Sequence, residues 1–349
     1  MPSLLSNEER NETCVAPTTD TTLMRLGRSQ RQELRNTELH NVHQSEPRCW
    51  SKRLIGLFPV FLAMGIANFL VENGISQTVP APNGTLLRPS DARNEFGNAR
   101  QDLITPMVEE GAPSPGRRAI QWVDDYQSSS VRHTIYLPID WSADRKYPVL
   151  FEYAGNGRTV LGGQPCLGYG LSGGRGYIWV CLPFVAEGRM KETDRWWGDL
   201  PATVDYCKRV ASDVCERWGG NSEQLVLCGF SRGSIACNVV GLHDDQIAAM
   251  WKAFVCHSHY DDGRWSGTTR EASIARLRRL GAKPQWISNE RPVVAKEGIR
   301  EFLLANQPAG NFEFVELPFD VHTENWVLYD IPERLSAREW LARQLKIGH

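Results

Sequence analysis

The sequence predicts an α/β domain built on a largely parallel sheet, and three observations carry that expectation. From about Gly116 onward, apolar runs of strand length alternate with segments of helical spacing. One of those runs, Leu225 to Cys228, turns through Gly229-Phe230-Ser231-Arg232-Gly233 into a segment of small and apolar residues, which is a strand–turn–helix signature. Ahead of Gly116 the chain shows no such alternation, so the folded part is expected to occupy residues 118–349.

The front of the chain divides in three. Residues 1–53 are polar, with seven arginines and few aliphatic residues, a composition that cannot bury enough apolar surface to offset its ordering entropy. They are expected to be disordered. Leu54 to Val71 (LIGLFPVFLAMGIANFLV) is uncharged for eighteen residues and follows Lys52-Arg53, with Glu72 after it. This suits a signal peptide or a signal-anchor transmembrane segment, and the positive-inside bias then places everything after it outside the cytoplasm. Contact with a membrane is expected only through 54–71. Residues 72–117 are rich in Pro, Asn, Gly and Ser and read as a linker, with a glycosylation-type triplet at Asn83-Gly84-Thr85.

The formal net charge of −2 gives no reason to expect nucleic acid as a partner. Of nine cysteines, Cys166/Cys181 and Cys207/Cys215 are candidate disulfide pairs in an exported domain, whereas Cys228 and Cys256 sit in apolar runs as small core residues.

Within the folded part, Val131 to Leu137 alternates as an early strand, and Tyr147 to Tyr153 is a strand entering Ala154-Gly155-Asn156-Gly157. The glycine-rich Gly157 to Gly176 is expected to be a loop. Tyr177 to Phe184 is the next strand. Asp199 to Trp218 has helical spacing, with Val204, Cys207, Val210, Ala211 and Val214 on one face and Gly219-Gly220 as its stop. After the Ser231 turn come the strand Trp251 to Cys256, the basic amphipathic helix Arg270 to Leu280, the strands Pro284 to Ser288 and Phe312 to Leu317, and a closing helix from about Ile331 to Leu345.

The Gly-x-Ser-x-Gly turn needs its two glycines for room, because a serine on so tight a turn leaves no space for flanking side chains. The helix that starts there aims free N–H groups at whatever the serine attacks. A serine hydroxyl near neutral pH needs a base. Of eight histidines, His322 lies directly after the final strand, while His257 and His259 follow an earlier one. The cluster His257-Ser258-His259-Tyr260-Asp261-Asp262 also invites a metal reading, but the last histidine of the His-x-His-x-Asp-His pattern is replaced by Asp262, and a metal would leave the serine turn unexplained.

This order of elements, with the elbow at Ser231, the glycine-containing turn after Tyr147 to Tyr153, and a histidine after the last strand, resembles the α/β-hydrolase superfamily over roughly residues 118–349. The resemblance implies a Ser231–His322–acid triad. The acid is expected at Glu290, after the penultimate strand, with Asp261 or Asp262 as the alternative. Backbone N–H groups of Arg232 and Asn156 are expected to hold the oxyanion, with Gly157 next in line. No cofactor or metal is required. The implied activity is that of an exported serine hydrolase of carboxylic esters, its substrate a small-molecule or polysaccharide-linked ester. A peptidase of the same fold and a catalytically inactive binding domain are the rival readings. The interval from Cys256 to Pro284 holds one helix and no room for a lid domain, so an open cleft is expected, bounded by the glycine-rich loop and Arg195-Trp196-Trp197-Gly198.

Overall fold

The computed structural model describes residues 95–162, 165–291 and 297–347. The polar front, the apolar segment 54–71 and the sequon lie outside these residues. No helix among the described residues is long and apolar enough to cross a membrane.

Nine strands form one mixed sheet in the order β1-β2-β3-β5-β4-β6-β7-β8-β9. The strands are β1 (Val108–Glu109), β2 (Arg118–Gln121), β3 (His133–Tyr136), β4 (Tyr147–Tyr153), β5 (Ile178–Leu182), β6 (Gly220–Phe230), β7 (Trp251–His257), β8 (Gln285–Asn289) and β9 (Phe312–Glu316). From β5 to β9 every pairing is parallel; only β3 runs against its two neighbours. Among the described residues, seven α-helices accompany the sheet: α1 (Leu167–Ser172), α2 (Leu200–Arg217), α3 (Arg232–Val239), α4 (Asp245–Met250), α5 (Arg270–Leu280), α6 (Glu297–Asn306) and α7 (Pro332–Leu345).

The central strands are apolar on both faces because helices cover both. Along β6, Leu225 and Leu227 join a core shared with Val204 and Val210 of α2, Ile235 of α3 and Leu277 of α5. Val226 and Cys228, pointing the other way, join Leu167 of α1 and Trp340 and Leu341 of α7. Period-two alternation therefore divides one strand between two cores, as expected of a doubly covered parallel sheet. Helix α2 starts at Asp199, whose side chain accepts from the Ala202 N–H at 2.9 Å, and its buried face includes the five residues predicted from spacing.

Three expectations need correction. The segment assigned as linker is, from residue 95, folded onto the domain: Phe96 packs against Phe319 and Tyr329 with ring centroids 4.8 and 4.5 Å apart. Asp102 pairs with the guanidinium of Arg334, and β1 adds a parallel edge to β2. A few apolar anchors outweigh the loop-like composition. The glycine-rich stretch before β5 contains α1, whose first N–H groups, Leu167 and Gly168, donate to the buried carboxylate of Glu152 at 3.1 and 2.9 Å. That partner arrives from β4 and is invisible in local sequence. Finally, all seven described cysteines are free thiols. Cys207 and Cys215 are two turns apart on α2, roughly 12 Å along the axis, beyond disulfide reach. Cys181 instead accepts from Arg118 at 3.2 Å, and the Cys166 thiol donates to Asn325 at 3.7 Å.

Candidate active site

The site forms at the carboxyl ends of β4 and β6 to β9, where loops from neighbouring parallel strands converge. Ser231 caps α3 with φ 55° and ψ −117°, an unfavourable conformation for a residue with a side chain. The two glycines are required by close approach. A Cβ on Gly229 would strike the Gly233 carbonyl, and one on Gly233 would strike the carbonyl of Tyr153 on β4. The Ser231 N–H donates to the His257 carbonyl at 3.0 Å, which fixes the turn against β7.

The loop after β9 brings His322 to this turn. Its Nε2 lies 3.3 Å from Ser231 Oγ, and its Nδ1 lies 2.7 Å from Glu290 Oε1. With the proton on Nδ1 donated to the carboxylate, Nε2 is left to accept from the serine hydroxyl. Ser258 adds a second contact behind the imidazole: its hydroxyl donates to Glu290 Oε1 at 2.8 Å and lies 2.9 Å from His322 Nδ1. Burial works to raise the Glu290 carboxyl, but hydrogen bonds from His322, its own backbone and Ser258 outweigh it. The carboxyl is held well below the usual range. The imidazole of His322 is 48% exposed and its glutamate partner 10%, so the imidazole is open to solvent while the carboxylate is sheltered.

Asp261, the alternative acid, is committed elsewhere. It is buried, 2.6 Å from Arg276 Nε, and accepts from Ser273 at 2.7 Å. Asp262 pairs with Arg264 at 2.5 Å. His257 is enclosed by Ser288 Oγ (3.1 Å) and the Thr323 carbonyl (2.9 Å) on its two ring nitrogens. His257, Asp261 and Asp262 thus face separate protein partners instead of one shared point. Glu324 is buried and accepts a hydrogen bond from Arg158 Nη1 at 2.8 Å; burial and the nearby Glu152 push its carboxyl up to about 8.

Of the expected oxyanion donors, the N–H of Arg232 opens α3, directly after β6, and that of Asn156 follows β4; β4 and β6 are paired through Tyr153 and Gly229. The Gly157 N–H is occupied by the Asp194 carbonyl at 2.6 Å, which removes it as the reserve donor. No local sequence pattern marks the fate of the Arg232 side chain. It is buried against the ring of Phe184 (4.0 Å), where burial lowers the guanidinium to about 10, and it donates to the carbonyls of Arg158 (2.8 Å), Trp196 (3.2 Å) and Ala154 (3.5 Å). Ser258 behind the histidine was missed as well. Its only sequence signal is its place immediately after β7, next to a strand that carries the acid.

No protein-family model and no curated protein matches the sequence. Among solved structures the chain is similar to a thermostable esterase, with 15% identity over 61% of this chain and 59% of that one at a TM-score of 0.39. It is similar to the dipeptidyl peptidase 4 of Porphyromonas gingivalis, with 14% identity over 66% of this chain and 36% of that one at 0.48. It is also similar to the feruloyl esterase module from Clostridium thermocellum, with 12% identity over 68% and 92% at 0.48. The chain thus spans less than two thirds of the first two. At these identities the likeness concerns architecture alone. The parallel core, the crossing of β4 and β5 in strand order and the glycine-bounded turn after β6 identify that architecture as the α/β-hydrolase fold.

Proposed function

We propose that this protein is a serine hydrolase of carboxylic esters. The observation that carries the reading is the relay Ser231 Oγ–His322 Nε2 at 3.3 Å and His322 Nδ1–Glu290 Oε1 at 2.7 Å. In this reading Ser231 Oγ bonds to the acyl carbon as its proton passes to His322 Nε2, and the N–H groups of Arg232 and Asn156 stabilise the oxyanion. Collapse of the tetrahedral intermediate breaks the ester C–O bond, and His322 returns the proton to the departing alcohol. Water, deprotonated by the same imidazole, then releases the acid and restores the serine. Glu290 keeps the imidazole in the required tautomer and stabilises its charged form.

The cleft is read as open. Among the described residues only α5 lies between β7 and β8, and half of the His322 side chain is exposed. Short acyl groups on an extended alcohol, a carbohydrate among them, suit such a site better than a long chain needing a sealed tunnel. We further propose that segment 54–71 exports the domain, a reading supported by its uncharged composition after Lys52-Arg53.

The decisive experiment is labelling with a fluorophosphonate. Wild-type protein is expected to react at Ser231 and Ser231→Ala not to react; an unlabelled wild type overturns the enzyme reading. Hydrolysis of p-nitrophenyl acetate is expected to exceed that of the palmitate ester, and the reverse order overturns the open cleft. A C-terminal reporter that is active only in the cytoplasm overturns export.

A further inference from the structure

Among the described residues five other than glycine have positive φ, and three of them, Trp196 (φ 47°), Ser231 (55°) and Ser258 (82°), meet at this site. For Ser231 and Ser258 the reason is plain, since each presents a hydroxyl to the triad. Trp196 has no such excuse. It is the bulkiest of the five, and positive φ is unfavourable for a side chain of this size. The conformation is held from both sides by the two residues assigned to the oxyanion hole: the Trp196 N–H donates to Asn156 Oδ1 at 3.2 Å, and its carbonyl accepts from Arg232 Nη1 at 3.2 Å. Its neighbour Trp197 is ordinary packing, buried and donating to the Ser266 carbonyl at 2.8 Å. Trp196 is only half-buried.

From Trp196 a line of rings leads back to the base. Trp196 and Trp265 have centroids 6.4 Å apart, Trp265 and His259 4.9 Å, and His259 and His322 5.2 Å. The indole of Trp265 is set by its N–H donating to the Tyr260 carbonyl at 2.6 Å. The contacts therefore run in an arc of tilted and edge-on rings from the oxyanion loop at Asn156, through Trp196, Trp265 and His259, to His322, whose Nε2 lies 3.3 Å from Ser231 Oγ.

We propose that this arc is a subsite for a flat ring carried by the substrate, and that Trp196 is its specificity-determining residue. The inference rests on the serine-hydrolase reading above and deepens it. An aromatic wall whose tryptophans are half-buried takes the face of an aryl group or the C–H face of a sugar ring by the same chemistry, dispersion and offset stacking beside a polar reaction centre. The ring could enter on the acyl group or on the alcohol. Because Asn156 and Arg232 hold both the wall and the oxyanion donors, a ring seated on Trp196 would be aligned with the oxyanion hole.

The test compares kcat/KM of the full chain for ethyl acetate, which has no ring, methyl cinnamate, with a ring on the acyl group, and an acetylated methyl xyloside, with a ring on the alcohol. At least one ring-bearing ester is expected to be favoured over ethyl acetate. Trp196→Ala should reduce that preference about fivefold or more, the size of one aromatic contact, while Trp196→Phe, which retains a ring, keeps most of it. Which ester loses its advantage tells acyl ring from alcohol ring. Trp196→Gly supplies the second variant: it relieves the positive φ, so a drop in ring preference without a drop in Tm separates ring recognition from packing. Ring preferences within about twofold of wild type in both Trp196→Ala and Trp196→Gly, in proteins that still label with fluorophosphonate, overturn the subsite alone. A wild type that does not label overturns the subsite together with the hydrolase reading.

Discussion

Two histidines pack against the same phenylalanine and have opposite fates. The ring of Phe230, one residue before the serine, lies 5.5 Å from His257 and 4.7 Å from His322. His257 ends β7 and is fully buried. Burial drives its imidazole down to about 4, and hydroxyl and carbonyl partners occupy both nitrogens. His322 sits on a loop, half exposed, with a carboxylate behind it and a hydroxyl before it. In the proposed reading this difference is what suits one imidazole, and not the other, to act as a base. It must be able to become charged, which requires a nearby anion and access to water; burial among neutral partners leaves a histidine that only fastens elements together. His257 joins β7 to β8 and to the His322 loop, and so acts as scaffold for its neighbour.

The largest effects should separate the two histidines outright. Ser231→Ala and His322→Ala are each expected to lower kcat by about 10^6-fold with the fold intact, since removing either member of a working unit disables the whole. His257→Gln should leave kcat within about tenfold of wild type and lower Tm instead, through the lost buried hydrogen bonds. If His257→Gln were as inactive as His322→Ala at unchanged Tm, the division of roles would be wrong. Next in size, Glu290→Gln should lower kcat by about 10^4-fold, because an amide no longer holds the right tautomer or stabilises the imidazolium. Asp261→Asn should act on stability, by weakening its buried pairing with Arg276. A rate loss in Asp261→Asn with Glu290→Gln near wild type would reverse the assignment of the acid.

The parts of this arrangement that were legible in sequence are those with a local signature. The elbow at Ser231 announces itself through two glycines at fixed spacing, and α2 and α5 through their periodicity. His322 and Glu290 could be placed by their position after successive strands, because a parallel sheet brings its carboxyl ends to one edge whatever lies between. What could not be read depends on partners distant in sequence. The cap of α1 is a carboxylate on β4. The three carbonyls that bind the Arg232 guanidinium lie in two separate loops, and no local pattern marks an arginine as buried. The folding of residues 95–117 onto the domain depends on Phe96 and Asp102 meeting residues more than two hundred positions away.

The comparison also predicts an acid limb of stability. His257 is neutral in the folded protein down to about pH 4, and His133, buried beside Tyr206, down to about pH 3. Unfolded, both take up a proton near pH 6.5. The unfolded state therefore binds more protons below that pH, so this stabilisation is complete above about pH 6.5 and is lost as pH falls, with the His257 share gone near pH 4. That share is about 3 kcal/mol. Glu290, whose carboxyl is lowered on folding, adds its own loss only below the ordinary carboxylate range. Denaturant midpoints of His257→Gln should therefore lie below wild type at pH 8 and approach it by pH 4. Parallel curves would mean that His257 is not neutral in the folded state.

The smallest effect concerns Ser258, which links the two histidine regions. It follows His257 directly, yet its hydroxyl donates to the carboxylate that serves His322. Deleting that hydroxyl leaves the 2.7 Å contact between His322 and Glu290 in place, so the tautomer should survive and only the alignment of the carboxylate should loosen. Ser258→Ala is expected to lower kcat about three- to tenfold, in the range of one hydrogen bond to a charged group. The alanine still has to adopt φ 82°, so strain could add to the effect. Ser258→Gly removes the hydroxyl without that penalty. If alignment of Glu290 is what matters, the two variants should lose the same rate, with the glycine variant retaining the higher Tm. If Ser258→Gly keeps wild-type kcat while Ser258→Ala does not, backbone strain is responsible, and the serine belongs with His257 as scaffold instead of with the triad.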